Sequence, residues 1–201
     1  YKRSQTYVGV TPRKPAPEGI TEQLIGDLEV EAQIFTRRAP WALVGGVDAA
    51  LAMLRHTTRW HAWSQLEVEA VQDGVLVEYD GIPEHVHPVL KIRGKYRDFA
   101  LLETPILGFL TRISRVATNV LEVLRVSKGK PVLFFPARFD VPDVQAMDGY
   151  AYWLAVQRYN HETGQNTVPR VSTDAQGAWW GGRGSGTIPH ALIAVFLGDT
   201  A

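Results

Sequence analysis

Apolar and polar residues alternate from Leu28 to Phe35, and a similar strand-like pattern returns at 68–71, 75–79 and 89–92. Alternation turns one side of a strand to a core and the other to water, so these segments are expected to be half-buried strands. Asp73 and Gly74 lie between two of them and predict a hairpin, because that pair suits the positive φ of tight hairpin turns. The expected product is a small antiparallel sheet with one wet face. Elsewhere the spacing becomes helical. Val47, Ala50, Leu51 and Leu54 fall on one face of a short helix introduced by Gly45 and Gly46. Apolar residues at 106, 107, 110, 113, 117, 120, 121 and 124 keep helical spacing over 103–126, with Gly129 as a stop. This is expected to be the longest helix and the junction of two domains, 1–115 and 116–201.

Beyond that helix the pattern alternates between strand and helix. A buried strand is expected at 131–135, a helix at 141–158, strands near 168–172 and 186–188, and a helix from Pro189. Repeated strand-to-helix steps imply parallel strands whose carboxyl ends carry the functional groups. Near the start, prolines at 12, 15 and 17 block regular hydrogen bonding and predict an extended connector.

With 201 residues, 45% of them hydrophobic, the chain can bury one good core or two small ones. The formal charge is zero, so no global field favours nucleic acid. Cysteine is absent, which excludes disulfides, thiolate metal sites and a cysteine nucleophile. No apolar run reaches 18 residues and no leader pattern is visible, so the expectation is a cytoplasmic protein without a membrane partner. A first residue that is not methionine, and a finish just after an apolar run, read as a fragment or trimmed chain.

Candidate chemistry concentrates in the last third. Arg138 follows the apolar run ending at Phe135, where a guanidinium can hold a carboxylate bidentately or pair with Asp140 or Asp143. Phe135 can stack on an aromatic ring or belong to the core. The loop from Gly181 to Gly186 offers unobstructed N–H groups and Arg183 for phosphate, or is a flexible connection. It matches neither the Walker loop nor the dinucleotide fingerprint. His190 sits at an expected helix start, where the dipole favours a neutral ring or an adjacent anion, and reads equally as a catalytic or a structural histidine. Asp174 can accept from a ligand or cap the next segment. His85 and His87 would share one strand face without a third metal ligand nearby. His56, Trp60, His61 and Trp63 form an aromatic group without basic density, which reads as packed surface.

Taken together, the segments at Tyr1 to Arg3, Val30 to Arg38, Leu102 to Gly108 with Ser114 to Thr118, and Phe135 to Arg138 with Gly186 to Ala191 resemble the nicotinate/nicotinamide phosphoribosyltransferases. These belong to the type II phosphoribosyltransferases, alongside quinolinate phosphoribosyltransferase. The resemblance implies an α/β fold: an α+β amino-terminal domain followed by the first units of an α/β barrel, incomplete at its carboxyl end. It implies that nicotinate is joined to 5-phosphoribosyl diphosphate, with Mg²⁺ present and ATP hydrolysis often coupled, at a site shared within a homodimer. Phe135 would stack on the pyridine, Arg138 would engage its acyl group, and Tyr1 of a neighbouring subunit would cover the other face. His190 aligns with the histidine that ATP phosphorylates, and Arg37 and Arg38 would lie near phosphates, the role the loop's own residues suggest for Gly182 and Arg183. Thr173 and Asp174 fall in a substrate-binding segment where aspartate suits an amide, which leaves nicotinate and nicotinamide both open. The chain stops before further barrel strands, so alone it is expected to be inactive. The reading from another class is a non-catalytic pyridine-binding module or fragment.

Overall fold

The computed structural model describes residues 25–57 and 64–199. The chain divides into two compact units, Tyr1–Thr118 and Asn119–Ala201.

In the first unit the order is β1 (Glu29–Phe35), β2 (Trp41–Leu43), α1 (Val47–Thr57), β3 (Glu67–Ala70), β4 (Leu76–Glu78), β5 (Pro88–Lys95), the single turn α2 (Tyr96–Phe99) and the long helix α3 (Glu103–Ser127), which runs on past Thr118. β5 is central, flanked by antiparallel β1 and β3. Its period of two is visible in the packing. Leu90 and Ile92 are buried with Val47, Leu54, Phe99 and Ile106, and Val30, Ala32 and Ile34 of β1 join that core. On the opposite, wet face Arg93 is placed across from both Glu31 and Glu67 and ion-pairs with each, while Lys91 meets Glu69 at 3.6 Å. Opposite charges on directly facing strand positions fix this register as well as solvating it.

The hairpin expected around Asp73 and Gly74 does not form. β3 pairs with β5, whereas β4 pairs with β2 in a separate two-stranded sheet. The turn itself exists, with Gly74 at φ 92°, but its groups are used elsewhere. Asp73 Oδ1 accepts the N–H of Val47 at 2.8 Å, satisfying an orphan donor at the start of α1. The Gly74 N–H donates to the Val44 carbonyl at 2.8 Å. The turn therefore hands the chain from one sheet to the other. His85 and His87 likewise do not share a strand face: Pro83–His85 is one 3-10 turn, and His85 Nδ1 lies 2.7 Å from Asp80 Oδ2.

The second unit carries β6 (Leu133–Phe134), α4 (Pro142–Thr163), β7 (Arg170–Val171), the turn α5 (Asp174–Gly177) and α6 (His190–Val195). β6 and β7 pair in parallel, with Phe134 beside Val171, as the strand-helix-strand pattern implies. α4 starts with Pro142 in its first turn and ends on Gly164 in the left-handed conformation, φ 68°. It runs past the expected end at 158, and Arg158 pairs there with Glu162 one turn on. Tyr152, fully buried in this helix, fastens the strand pair. Its ring stacks on Phe134 at 5.1 Å between centroids, its hydroxyl donates to the Val132 carbonyl at 3.1 Å, and it accepts the Arg170 N–H at 3.0 Å. Burial pushes the Tyr152 hydroxyl above its ordinary pKa.

Two expected strands differ. The segment 131–135 yields a two-residue strand that is half-exposed rather than buried, with β7 as its ladder neighbour among the described residues. No strand forms at 186–188, because the chain just before it folds back on β7: the Ser185 and Gly186 N–H groups donate to the carbonyls of Val171 and Ser172 at 2.8 and 3.1 Å.

Candidate functional site at the ends of the parallel strands

Because β6 and β7 are parallel, their carboxyl ends open on the same side. Phe135 comes directly after β6 and is 38% exposed, enough to present a ring face. Pro136 and Ala137 are buried, and the N–H groups of Phe139 and Asp140 both donate to the Pro136 carbonyl, at 2.9 and 3.0 Å. Within this tight turn Arg138 adopts φ 72°, a left-handed conformation that costs a residue with a side chain about 1–2 kcal/mol. Its guanidinium is exposed and donates to Thr187 Oγ1 at 3.4 Å.

After β7, Ser172 is buried, Thr173 half-buried and Asp174 exposed at the first position of α5. The glycine-rich loop then returns along this end of the strand. The Gly182 N–H donates to the Gly177 carbonyl at 2.9 Å, and the Gly184 N–H donates to Asp174 Oδ1 at 2.8 Å. A Cβ on Gly184 would lie 2.5 Å from the Thr173 backbone, so only glycine permits the approach. With Ser185 and Gly186 also bonded to β7 and its extension, the loop's N–H groups at 182, 184, 185 and 186 are satisfied internally. An open backbone cradle for phosphate is therefore not what this loop forms; the exposed Arg183 side chain is its remaining anion-binding group. His190 opens α6, a helix of six residues, and is exposed.

The structure thus brings Phe135, Arg138, Thr173, Asp174 and the loop through Gly182 and Arg183 to one end of one strand pair, with His190 following Thr187 in the chain. Arg37 and Arg38 belong to the first unit. They line a cleft of about 400 Å³ with Thr36, Thr111, Ser114 and Arg115, and the Arg37 guanidinium lies 5.3 Å from the Phe35 ring centre. Tyr1, the proline-rich stretch and Trp60, His61 and Trp63 lie outside the described residues.

A cavity of about 930 Å³ is also in the first unit, between β1, α2 and the first turn of α3. Its walls are mostly apolar, including Val30, Ile34, Phe99 and Ile106, so volume alone does not select it over the strand ends, which carry a cation, a ring and a carboxylate. No group of three or more histidines and carboxylates able to hold a metal occurs among the described residues.

Gln145 and Gln176 escaped the reading of the sequence. Gln176 is 0% and Gln145 6% exposed, and together they connect the two strand-end loops through hydrogen bonds. The available signal was the spacing Thr173-x-x-Gln176, that of a capping box.

Residues 19–114 match the family model for the quinolinate phosphoribosyl transferase N-terminal domain. Over 85% of the chain, the fold superposes on a nicotinate-nucleotide pyrophosphorylase from Pyrococcus furiosus with TM-score 0.60 and 28% identity, covering 39% of that protein. Human nicotinic acid phosphoribosyltransferase gives TM-score 0.61 at 22% identity over 85% of this chain and 37% of its own. A nicotinate-nucleotide pyrophosphorylase from Ehrlichia chaffeensis gives 0.51 at 18% identity over 64% and 43%. The chain therefore spans well under half the length of these proteins.

Proposed function

We propose that this chain, whose residues 19–114 match the quinolinate phosphoribosyl transferase N-terminal domain, is part of a type II phosphoribosyltransferase, a nicotinate phosphoribosyltransferase of NAD biosynthesis. In this reaction the pyridine nitrogen of nicotinate attacks the anomeric carbon of 5-phosphoribosyl diphosphate. The nitrogen–carbon bond forms, the carbon–oxygen bond to diphosphate breaks, and the leaving group departs with the bonding electron pair. Such a displacement passes through a state of oxocarbenium character, so catalysis consists mainly of holding the nitrogen in line and stabilising the leaving charge.

The observation that carries the proposal is Arg138, held at φ 72° just past β6 and facing the same sheet end as Thr173 and Asp174. An exposed guanidinium there suits one carboxylate, and Phe135 supplies a ring face on the same turn. Residues kept in sparsely populated backbone conformations concentrate where geometry serves function. The acid is favoured over the amide because Arg138 supplies a cation, for which a carboxylate is the better partner. It is favoured over quinolinate because a second carboxylate calls for a second cation beside the ring, and Arg183 is assigned here to phosphate.

His190 is proposed as the group that ATP phosphorylates, its charge then changing affinity at the adjacent loop. Tyr1 is proposed to close the pocket from the second subunit of a homodimer. Mg²⁺ commonly binds through one or two carboxylates together with substrate phosphates. No cluster of three or more histidines and carboxylates occurs among the described residues, so Mg²⁺ would be held chiefly by the substrate's phosphates.

The test is product formation by the full protein with phosphoribosyl diphosphate and, separately, nicotinate, nicotinamide or quinolinate, with and without ATP. Nicotinate mononucleotide rising with ATP is expected. Turnover of nicotinamide or quinolinate in preference to nicotinate would refute the substrate assignment.

A further inference from the structure

Between the two strand-end loops lies a chain of side-chain amides that no mechanism above uses. Gln176 Oε1 accepts three hydrogen bonds, from the Ser172 N–H, the Ser172 hydroxyl and the Thr173 N–H, each at 3.1 Å. Three donors on one atom settle the orientation of this amide, so its Nε2 must point the other way. It donates to Gln145 Oε1 at 2.7 Å, and the Thr173 hydroxyl lies 3.5 Å from the same oxygen. With its oxygen committed, Gln145 turns its Nε2 to the Asp140 carbonyl at 3.2 Å. Asp140 closes the turn in which Arg138 is strained. Every group in the series has its partner, and both glutamines are buried, so the series has little freedom to slip.

We propose that Gln145 and Gln176 are positioning residues that set the Arg138 turn and the Thr173–Asp174 segment at one fixed separation, and through it the fit of a pyridine carboxylate. The fit to a pyridine carboxylate rests on the reading of this mouth given above; the fixed separation does not. Glutamine is required at both positions because each must accept at one end and donate at the other. Gln145→Glu keeps the acceptor for Gln176 but faces the Asp140 carbonyl with a second acceptor, cutting the link to the Arg138 turn alone. Gln176→Glu keeps the acceptor for Ser172 and Thr173 but loses the donor to Gln145. If Gln145 then turns its amide round, the conflict moves to the Asp140 carbonyl.

Both variants are made in the full protein and measured by amide hydrogen exchange and by titration with nicotinate and with phosphoribosyl diphosphate. Exchange over 137–140 should quicken and nicotinate affinity fall, each about tenfold, the size of effect one lost hydrogen bond produces. Exchange over residues 152–163 of α4, in the same unit as both glutamines, and affinity for phosphoribosyl diphosphate should stay within about twofold of the unsubstituted protein, which a general loss of stability of that unit would not allow. Unchanged exchange at 137–140 in both variants overturns the proposal whatever the ligand does. Faster exchange with unchanged nicotinate affinity also overturns it, leaving the pair a packing feature. If the unsubstituted protein binds no nicotinate, the functional reading falls, and the exchange result alone decides whether the pair sets the separation. Should one variant fail to fold, the other still decides.

Discussion

The carboxylate of Asp174 accepts the backbone N–H of Gly184 at 2.8 Å, tying the first residue of α5 to the loop that returns past it. The contact is possible because Gly184 has no side chain where Thr173 passes. Gly184→Ala should therefore destabilise the protein by about 1–3 kcal/mol through overpacking. Asp174→Asn retains an acceptor and should cost much less. Urea unfolding of the two variants side by side separates them.

A second prediction concerns the first unit, where Thr118 Oγ1 donates to the Ser114 carbonyl at 2.6 Å and accepts the Leu43 N–H at 2.9 Å. Thr118 and Leu43 are fully buried. Thr118→Val keeps the shape but strands the Leu43 N–H without an acceptor, for an expected loss of about 1–3 kcal/mol. Thr118→Ser should recover most of it. Equal unfolding midpoints for the two variants would contradict this.

Much of this architecture was legible because period and burial agree. Leu28 to Phe35, Val47 to His56 and the long helix each carry one apolar face, and each forms close to its expected bounds. The hairpin at Asp73 was misread because a turn signal says where a chain reverses, not with which strand it then pairs; a tertiary bond to Val47 decided that. Gly186 to Ile188 failed as a strand because N–H groups just before and at its start were taken by β7 and Ser172. Arg138 and Asp174 could be singled out from their places after apolar runs. The Gln145–Gln176 link could not, since two polar residues 31 positions apart show no periodicity.

Acid stability should depend on Glu162. Burial by itself would raise its pKa, but hydrogen bonds from Arg158 and Arg125 outweigh burial and hold it below the ordinary 4.5. A depressed carboxyl contributes stability that is complete above its unfolded value and is lost as pH falls through its folded value. The unfolding midpoint should thus decline below about pH 4.5, and Glu162→Gln should be less stable at neutral pH with a flatter decline. Parallel acid limbs for the two proteins would contradict this.

ATP dependence should follow His190. In the His190→Ala protein, formation of nicotinate mononucleotide should no longer respond to ATP, and no acid-labile phosphate should accumulate on the chain during turnover. Retained stimulation by ATP would assign the relay elsewhere.

The central claim, that the mouth of the parallel strand pair binds a pyridine carboxylate through Arg138, is tested most directly by titrating nicotinate against the full protein and its Arg138→Ala and Arg138→Lys variants. Tryptophan fluorescence can report binding, since Trp179 and Trp180 border the glycine-rich loop. The account predicts saturable binding that weakens about tenfold or more in Arg138→Ala, with only partial recovery in Arg138→Lys because an ammonium lacks the planar fork. Equal affinity in all three proteins would contradict it.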